Sequence, residues 1–166
     1  MLCFTVLSMK RLLLRQLVLL SLLSAPLLVH GQAATPVNTV NFCGTDISAP
    51  STCTSETKYQ VNCQGYQLTW MYLDYKMMQE FPEQFVRQIE KKHKHTERQP
   101  LECFILDQPA KGFRLSYPTD SGMAYQLIAY GVAKGQPVML QLTMETDPDK
   151  TADLPELPRQ ILRLPK

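Results

Sequence analysis

The chain lacks the short motifs that carry the chemistry of common enzyme and metal-site classes. It has no Cys-x-x-Cys pair, and Cys43, Cys53, Cys63 and Cys103 are spaced too widely for a zinc site or a thiol–disulfide exchange motif. No serine lies in a Gly-x-Ser-x-Gly turn, which argues against a Ser-His-Asp hydrolase. The sequence therefore predicts no catalytic residue, no metal ligand set and no cofactor.

Histidine and calcium-loop patterns are also scarce. His93 and His95 are two residues apart, which on a helix puts them on nearly opposite faces. The acidic run 145–149 has oxygen ligands but not the Asp-x-Asn-x-Asp-Gly loop of a calcium-binding hand. Carboxylate pairs remain as the candidates for a small hydrolase. They are Glu80, Glu83, Glu145, Asp147 and Asp149.

An apolar run of about 20 residues, the length that spans a bilayer as a helix, is missing as well. The run Leu17–Leu28 is shorter, follows three basic residues and precedes the triplet Val29-His30-Gly31. This order is typical of a secretory signal peptide. We therefore predict that residues 1–31 are a signal peptide cut near Gly31. The remaining chain is predicted to have no membrane span and to be secreted or periplasmic.

Basic residues outnumber acidic ones only slightly, 17 against 15. Loss of the signal would remove Lys10, Arg11 and Arg15, leaving 14 basic and 15 acidic residues. The basic cluster 91–95 is typical of the solvated end of a helix. The sequence therefore does not favour a nucleic-acid partner, which requires a clustered basic face. Translation from Met9, which begins a more typical signal sequence, stays open.

Four cysteines follow the predicted signal, and in an exported chain this number predicts two disulfides among three possible pairings. Strand alternation puts Cys63 and Cys103 on the same sides as their apolar neighbours, so both are expected to point into the core. On this ground we favour a Cys63–Cys103 bridge across the sheet. Cys43–Cys53 would then staple the N-terminal loop.

Hydrophobic alternation and helical periodicity predict the element order β-β-α-β-β-β-β-α. The strands are predicted at 58–64, 66–72, 101–106, 112–117, 123–132 and 137–145. A long helix is expected after Asp74, kinked or begun at Pro82, and a last helix from Asp153. Residues 58–166 are thus predicted to form a two-layer α+β domain, an antiparallel sheet of about five to six strands with both helices packed on it. Residues 32–57 are predicted to be a flexible leader and a disulfide-stapled loop.

Aromatic residues on or beside the predicted strands are the best candidates for a contact surface. They are Trp70, Tyr72, Tyr117, Tyr125 and Tyr130. The main hypothesis is a non-catalytic module that binds a protein, peptide or glycan of the cell envelope or extracellular space through its sheet face or an edge strand. The alternatives are a small carboxylate-based hydrolase and an inhibitor or immunity-type protein that uses the stapled loop. The sequence leaves the ligand, enzymatic activity and oligomeric state open.

Overall fold

The computed structural model describes residues 34–165. The predicted signal peptide, residues 1–31, lies outside the described residues. None of the helices within residues 34–165 has the length and apolar character that crossing a membrane requires.

Antiparallel strands make up most of the described chain. They are β1 Thr35–Pro36, β2 Thr39–Phe42, β3 Thr45–Ser48, β4 Thr54–Thr57, β5 Gln60–Cys63, β6 Tyr66–Tyr72, β7 Glu97–Ile105, β8 Gln108–Thr119, β9 Gly122–Ala133, β10 Gln136–Met144 and β11 Leu162–Arg163. The helices are α1 Met77–Lys92, a short 3₁₀ helix Thr151–Asp153, and α2 Glu156–Ile161. Nine strands form one sheet in the order β1-β4-β5-β6-β10-β9-β8-β7-β11, and β2 and β3 form a separate hairpin. The α+β class is confirmed, but the sheet is larger than the five or six strands predicted.

The long strands β7 to β10 form a meander in which each strand pairs antiparallel with the next. Two-residue turns join β7 to β8 at Leu106–Asp107 and β9 to β10 at Lys134–Gly135, and all four residues have positive φ. This is the backbone of a type I′ turn, which favours Asn and Gly. Leu106–Asp107 has neither, whereas Pro109 and Gly112 are turn signals. The sequence therefore predicts a longer loop there and shorter strands on both sides.

The sheet separates two clusters of buried side chains. Along β9 and β10, Ala129 and Leu140 belong to one cluster, while Ile128 and Met139 belong to the other. Val86 of α1 packs with the second cluster, on a side that we call the helix face. The first cluster lies on what we call the hairpin face, which is covered by the β2–β3 hairpin, α2 and the C-terminal segment. The two helices thus cover opposite faces, giving three layers rather than the two predicted.

Residues 35–57 differ from the predicted leader and loop. They form four strands, of which β1 and β4 extend the sheet beyond β5. The β2–β3 hairpin buries Val40, Phe42 and Ile47 in the hairpin-face cluster. The sequence pattern for strands was weak here, because β2 and β3 are short and carry Thr, Asn and Ser between their few apolar residues.

The disulfide pairing that we favoured is wrong. In the described chain Cys53 is bonded to Cys63, while Cys43 and Cys103 are buried free thiols. Cys53 and Cys63 lie on the neighbouring strands β4 and β5 or directly beside them, with Cα atoms 4.2 Å apart. Four strands separate β5 from β7, which carries Cys103. Alternation predicted the face on which each cysteine lies, but not which strands are neighbours.

Hydrogen bonds to the carboxylates of Asp74 and Asp153 help to set where the helices begin. The Asp74 carboxylate accepts a hydrogen bond from the Met77 N–H at 2.6 Å, so the predicted capping residue does act at the start of α1. Pro82 lies inside α1 and is buried, and the helix continues past it to Lys92. The Asp153 carboxylate instead caps the preceding turn, since it accepts the N–H groups of 149 and 150, and α2 begins three residues later.

Candidate ligand-binding groove

A groove of about 640 Å³ lies on the helix face, beside the first turn of α1. Its lining residues are Met78, Gln79, Gln108, Pro109, Ala110, Lys111, Tyr130, Gly131 and Val132. They come from α1, the start of β8 and the end of β9. The body of α1 packs on Leu115 and Ile128, farther along the same two strands. The groove therefore lies where β8 and β9 extend beyond the part of the sheet that α1 covers.

The lining combines apolar surface with a few polar groups, as ligand pockets commonly do. Lys111 is the one charged residue among those that line the groove. Its ammonium lies 5.7 Å from the centre of the Tyr130 ring. Burial raises the pKa of Tyr130, the negative charge of Glu83 raises it further, and Arg98 opposes the shift. The Tyr130 hydroxyl thus stays protonated at neutral pH and can donate a hydrogen bond to a ligand.

Contacts through Phe113 and Arg98 connect Tyr130 to α1. Its ring lies 6.1 Å from that of Phe113, and the Arg98 guanidinium lies 4.0 Å over the Phe113 ring. Arg98 in turn donates two hydrogen bonds to the Glu83 carboxylate, at 3.0 and 2.5 Å. Because Glu83 belongs to α1 and Arg98 to β7, this contact ties the helix to the sheet next to the groove.

Glu83 does not act as a proton donor in this arrangement. The hydrogen bond from Arg98 lowers the pKa of Glu83 most, and burial opposes this shift. The positive charge of Arg98 and the hydrogen bond and charge of Arg87 lower the pKa further. The carboxyl is therefore ionised at neutral pH. The predicted hydrolase needs one carboxyl that stays protonated, so the environment of Glu83 is unsuited to that role.

The carboxylate candidates, Glu83 included, do not line the groove. Asp147 and Asp149 both accept hydrogen bonds from Arg114, at 3.0 and 3.3 Å. Neither lines the groove, and neither do Glu80 and Glu145. Across residues 34–165, no group of three or more His, Cys, Asp or Glu side chains is arranged to hold a metal ion.

The candidate aromatic residues are not brought together in one row. Only Tyr130 lines the groove. Tyr117 is buried and stacks on His93, with ring centres 4.0 Å apart. Tyr125 is half-buried on β9.

Trp70 and Tyr72 line a second cavity of about 310 Å³, together with Tyr59 and residues of the β2–β3 hairpin. The Tyr72 hydroxyl accepts the backbone N–H of Cys43 at 2.9 Å. Trp70 is 2% exposed, and its indole N–H has no acceptor among residues 34–165. Since that nitrogen is itself buried, a ligand in the cavity would not reach it without a rearrangement.

The sequence missed most of the groove. Its residues Gln79, Gln108 and Lys111 belong to no motif. They come together because α1 crosses the sheet near the start of β8 and the end of β9. This crossing is set by the packing of the helix on the sheet. The strand patterns gave no signal for it.

Comparison of the chain with models of known protein families found no match, and comparison with curated protein sequences found no significantly similar protein. What the fold defines is a class of architecture, an α+β protein with a nine-stranded antiparallel sheet. Fold alone does not specify function, so function has to be argued from the groove.

Proposed function

We propose that the protein is a non-catalytic binding module whose helix-face groove receives an apolar side chain of a partner protein or peptide segment that also carries an acidic group. The observation that carries this proposal is the groove itself, about 640 Å³ in volume and lined mostly by apolar atoms, with Lys111 as its charged lining residue. Concave apolar surfaces with a few polar groups are typical of binding sites.

Charge favours the acidic partner. Lys111 is exposed, and no carboxylate of the described residues forms an ion pair with it. Its ammonium is therefore available to a carboxylate of the partner, at the rim of an apolar groove. Gln79 and Gln108 supply amide groups that can pair with the partner's backbone.

The sheet face is better suited to partner binding than the edge strand β7 is. β7 pairs with β11 only at Phe104 and Ile105, which leaves the earlier part of this edge open. That part carries Glu97, Pro100 and Glu102, and charged residues and proline are the features that discourage strand addition.

The Cys53–Cys63 disulfide supports an oxidising compartment, because such bonds persist mainly in exported proteins. Together with the signal-like N-terminus, it supports a secreted or periplasmic protein. The partner would then be a protein of the envelope or the extracellular space.

The alternative functions gain less support. The hydrolase would need two carboxylates of different pKa facing a cavity, whereas Glu83 and Asp147 are held by arginines. The inhibitor would need a protruding stapled loop. Cys43, one end of the expected staple, is instead a buried free thiol beside β2.

Selection of a phage-displayed peptide library on the protein tests the proposal. We expect enrichment of sequences with a large apolar residue next to Asp or Glu. Reversing the charge with Lys111→Glu should weaken binding of the enriched peptides about tenfold, equivalent to about 1.4 kcal/mol. Lys91→Glu, in the last turn of α1 and outside the groove, is the matched control and should leave binding unchanged.

Two outcomes would contradict the proposal. One is peptide affinity that is equal in Lys111→Glu and in the Lys91→Glu control. The other is binding to a glycan array without enrichment of any peptide, since this result would show that the ligand is a glycan.

A further inference from the structure

A third cavity, of about 320 Å³, lies on the hairpin face near the turns that join β7 to β8 and β9 to β10. Its lining residues are Thr45, Leu106, Asp107, Lys134, Thr151, Arg159, Gln160, Ile161, Leu162 and Arg163. They come from β3, from both type I′ turns, from the 3₁₀ helix and from the α2–β11 segment. Residues far apart in sequence thus converge on one small, largely polar space.

The charges around this cavity do not balance. Three cations, Lys134, Arg159 and Arg163, line it with a single carboxylate, Asp107. Asp107 lies 3.4 Å from the Arg163 guanidinium, which also stacks 3.9 Å over the Phe104 ring. Within residues 34–165, neither Lys134 nor Arg159 has an ion-pair partner. Two positive groups therefore share one cavity without a protein counter-charge.

The two hairpin turns and two hydrogen bonds position part of the cavity wall. Lys134, Leu106 and Asp107 have φ of 49°, 46° and 62°, the left-handed conformation of the two type I′ turns. The Lys134 ammonium donates to the Thr45 hydroxyl at 2.6 Å, and the Leu106 N–H donates to the Ile161 carbonyl at 2.8 Å. These contacts fix the position of Lys134 and of the 106–107 turn at the wall of the cavity.

We propose that this cavity, the basic pocket, binds a phosphate or sulfate group. Arg159 supplies a planar guanidinium that can donate two parallel hydrogen bonds to an oxyanion, and Lys134 supplies a compact ammonium. Arg163 keeps its contact with Asp107 and adds positive potential at the wall. The basic pocket is separate from the helix-face groove, and this inference does not depend on the function proposed for the groove.

Calorimetric titration of the protein at low ionic strength with inorganic phosphate, inorganic sulfate and a hexose phosphate tests this inference. We expect saturable binding with one site. The double variant Lys134→Gln/Arg159→Gln should lose at least about tenfold in affinity. The double variant Lys91→Gln/Lys92→Gln removes the same charge at the far end of α1 and should bind as the unaltered protein does.

Vesicles containing phosphatidic acid serve as a further probe of the source of the group. Preference for hexose phosphate over inorganic phosphate would assign it to a soluble ligand, and preference for the vesicles would assign it to a lipid headgroup. Both results support the oxyanion site.

The inference is overturned if none of these probes binds, or if both double variants lose affinity equally, since long-range charge alone would then explain binding. Amide chemical-shift changes in the unaltered protein give a measurement that does not rely on variants. They should be centred on residues 106–107, 134 and 159–163, and changes centred elsewhere would also overturn the inference.

Discussion

The two faces of the sheet are covered in different ways. On the hairpin face, the β2–β3 hairpin, α2 and the C-terminal segment bury a continuous cluster in which Leu140 and Leu142 have no exposed surface. On the helix face, α1 alone covers a smaller cluster, and much of its apolar surface, including Phe81 and Phe85, is only partly buried. We therefore expect the hairpin face to supply most of the stability, whereas the helix face leaves more apolar surface exposed to solvent.

The largest expected effect compares one core position from each face. Leu140→Ala on the hairpin face should lower the free energy of unfolding by about 4 kcal/mol, because a fully buried side chain leaves a cavity behind. Phe81→Ala on the helix face should cost about 2 kcal/mol or less, since this ring is only partly buried. Urea unfolding measures both. Equal losses would show that the two faces contribute alike.

The disulfide lies on the hairpin face, since Cys53 belongs to the hairpin-face cluster and Cys63 packs against it. Replacing both with serine should lower the free energy of unfolding by about 3 kcal/mol, from the entropy of the short loop that the bond closes. Peptide affinity of the folded variant should stay unchanged, because the bond lies on the opposite face from the groove. Thermal unfolding and fluorescence polarisation measure the two quantities. A variant that is folded but no longer binds would contradict the separation.

The smallest effect concerns the contact that ties α1 to the sheet. The pKa of Glu83 is lower in the folded protein than in the unfolded chain, so its contribution to stability is present above the unfolded pKa, about 4.3, and is lost as pH falls through the folded value. Glu83→Gln should therefore lower stability at pH 7, by less than about 1 kcal/mol for this partly exposed pair.

Urea unfolding of Glu83→Gln and the unaltered protein as a function of pH tests this expectation. Their difference should shrink as pH falls through the folded pKa of Glu83. Glu102→Gln, an exposed residue without an ion-pair partner among residues 34–165, is the control. A difference that is constant with pH would show that the ion pair is not its source.

Sequence patterns predicted the elements whose signals are local. The strand predicted at 66–72 matches β6 Tyr66–Tyr72, and Asp74 does cap the start of α1. Signals that depend on distant packing were missed. Gly112 is predicted to be the first residue of a strand, but it lies well inside β8, where a Cβ would come within 1.7 Å of the Ile128 carbonyl oxygen. Its missing side chain lets β8 and β9 approach, and no neighbouring residue in the sequence reveals this.

Sequence patterns also predicted only part of the candidate site. Tyr130 was predicted as a contact residue because it is an aromatic residue on a strand, and it lies in the groove. No sequence pattern marked Lys111 and Gln79 as site residues, because their position in the groove depends on where α1 crosses the sheet. Likewise, Lys134 and Arg159 are far apart in sequence, and only the fold brings them to one cavity.

The proposed function is the binding of a partner segment in the helix-face groove. Titration of the isotope-labelled protein with an enriched acidic peptide, followed by amide chemical shifts, tests it most directly. We expect the largest changes at residues 78–79, 108–111 and 130–132. Changes concentrated instead on the β2–β3 hairpin and α2 would contradict it.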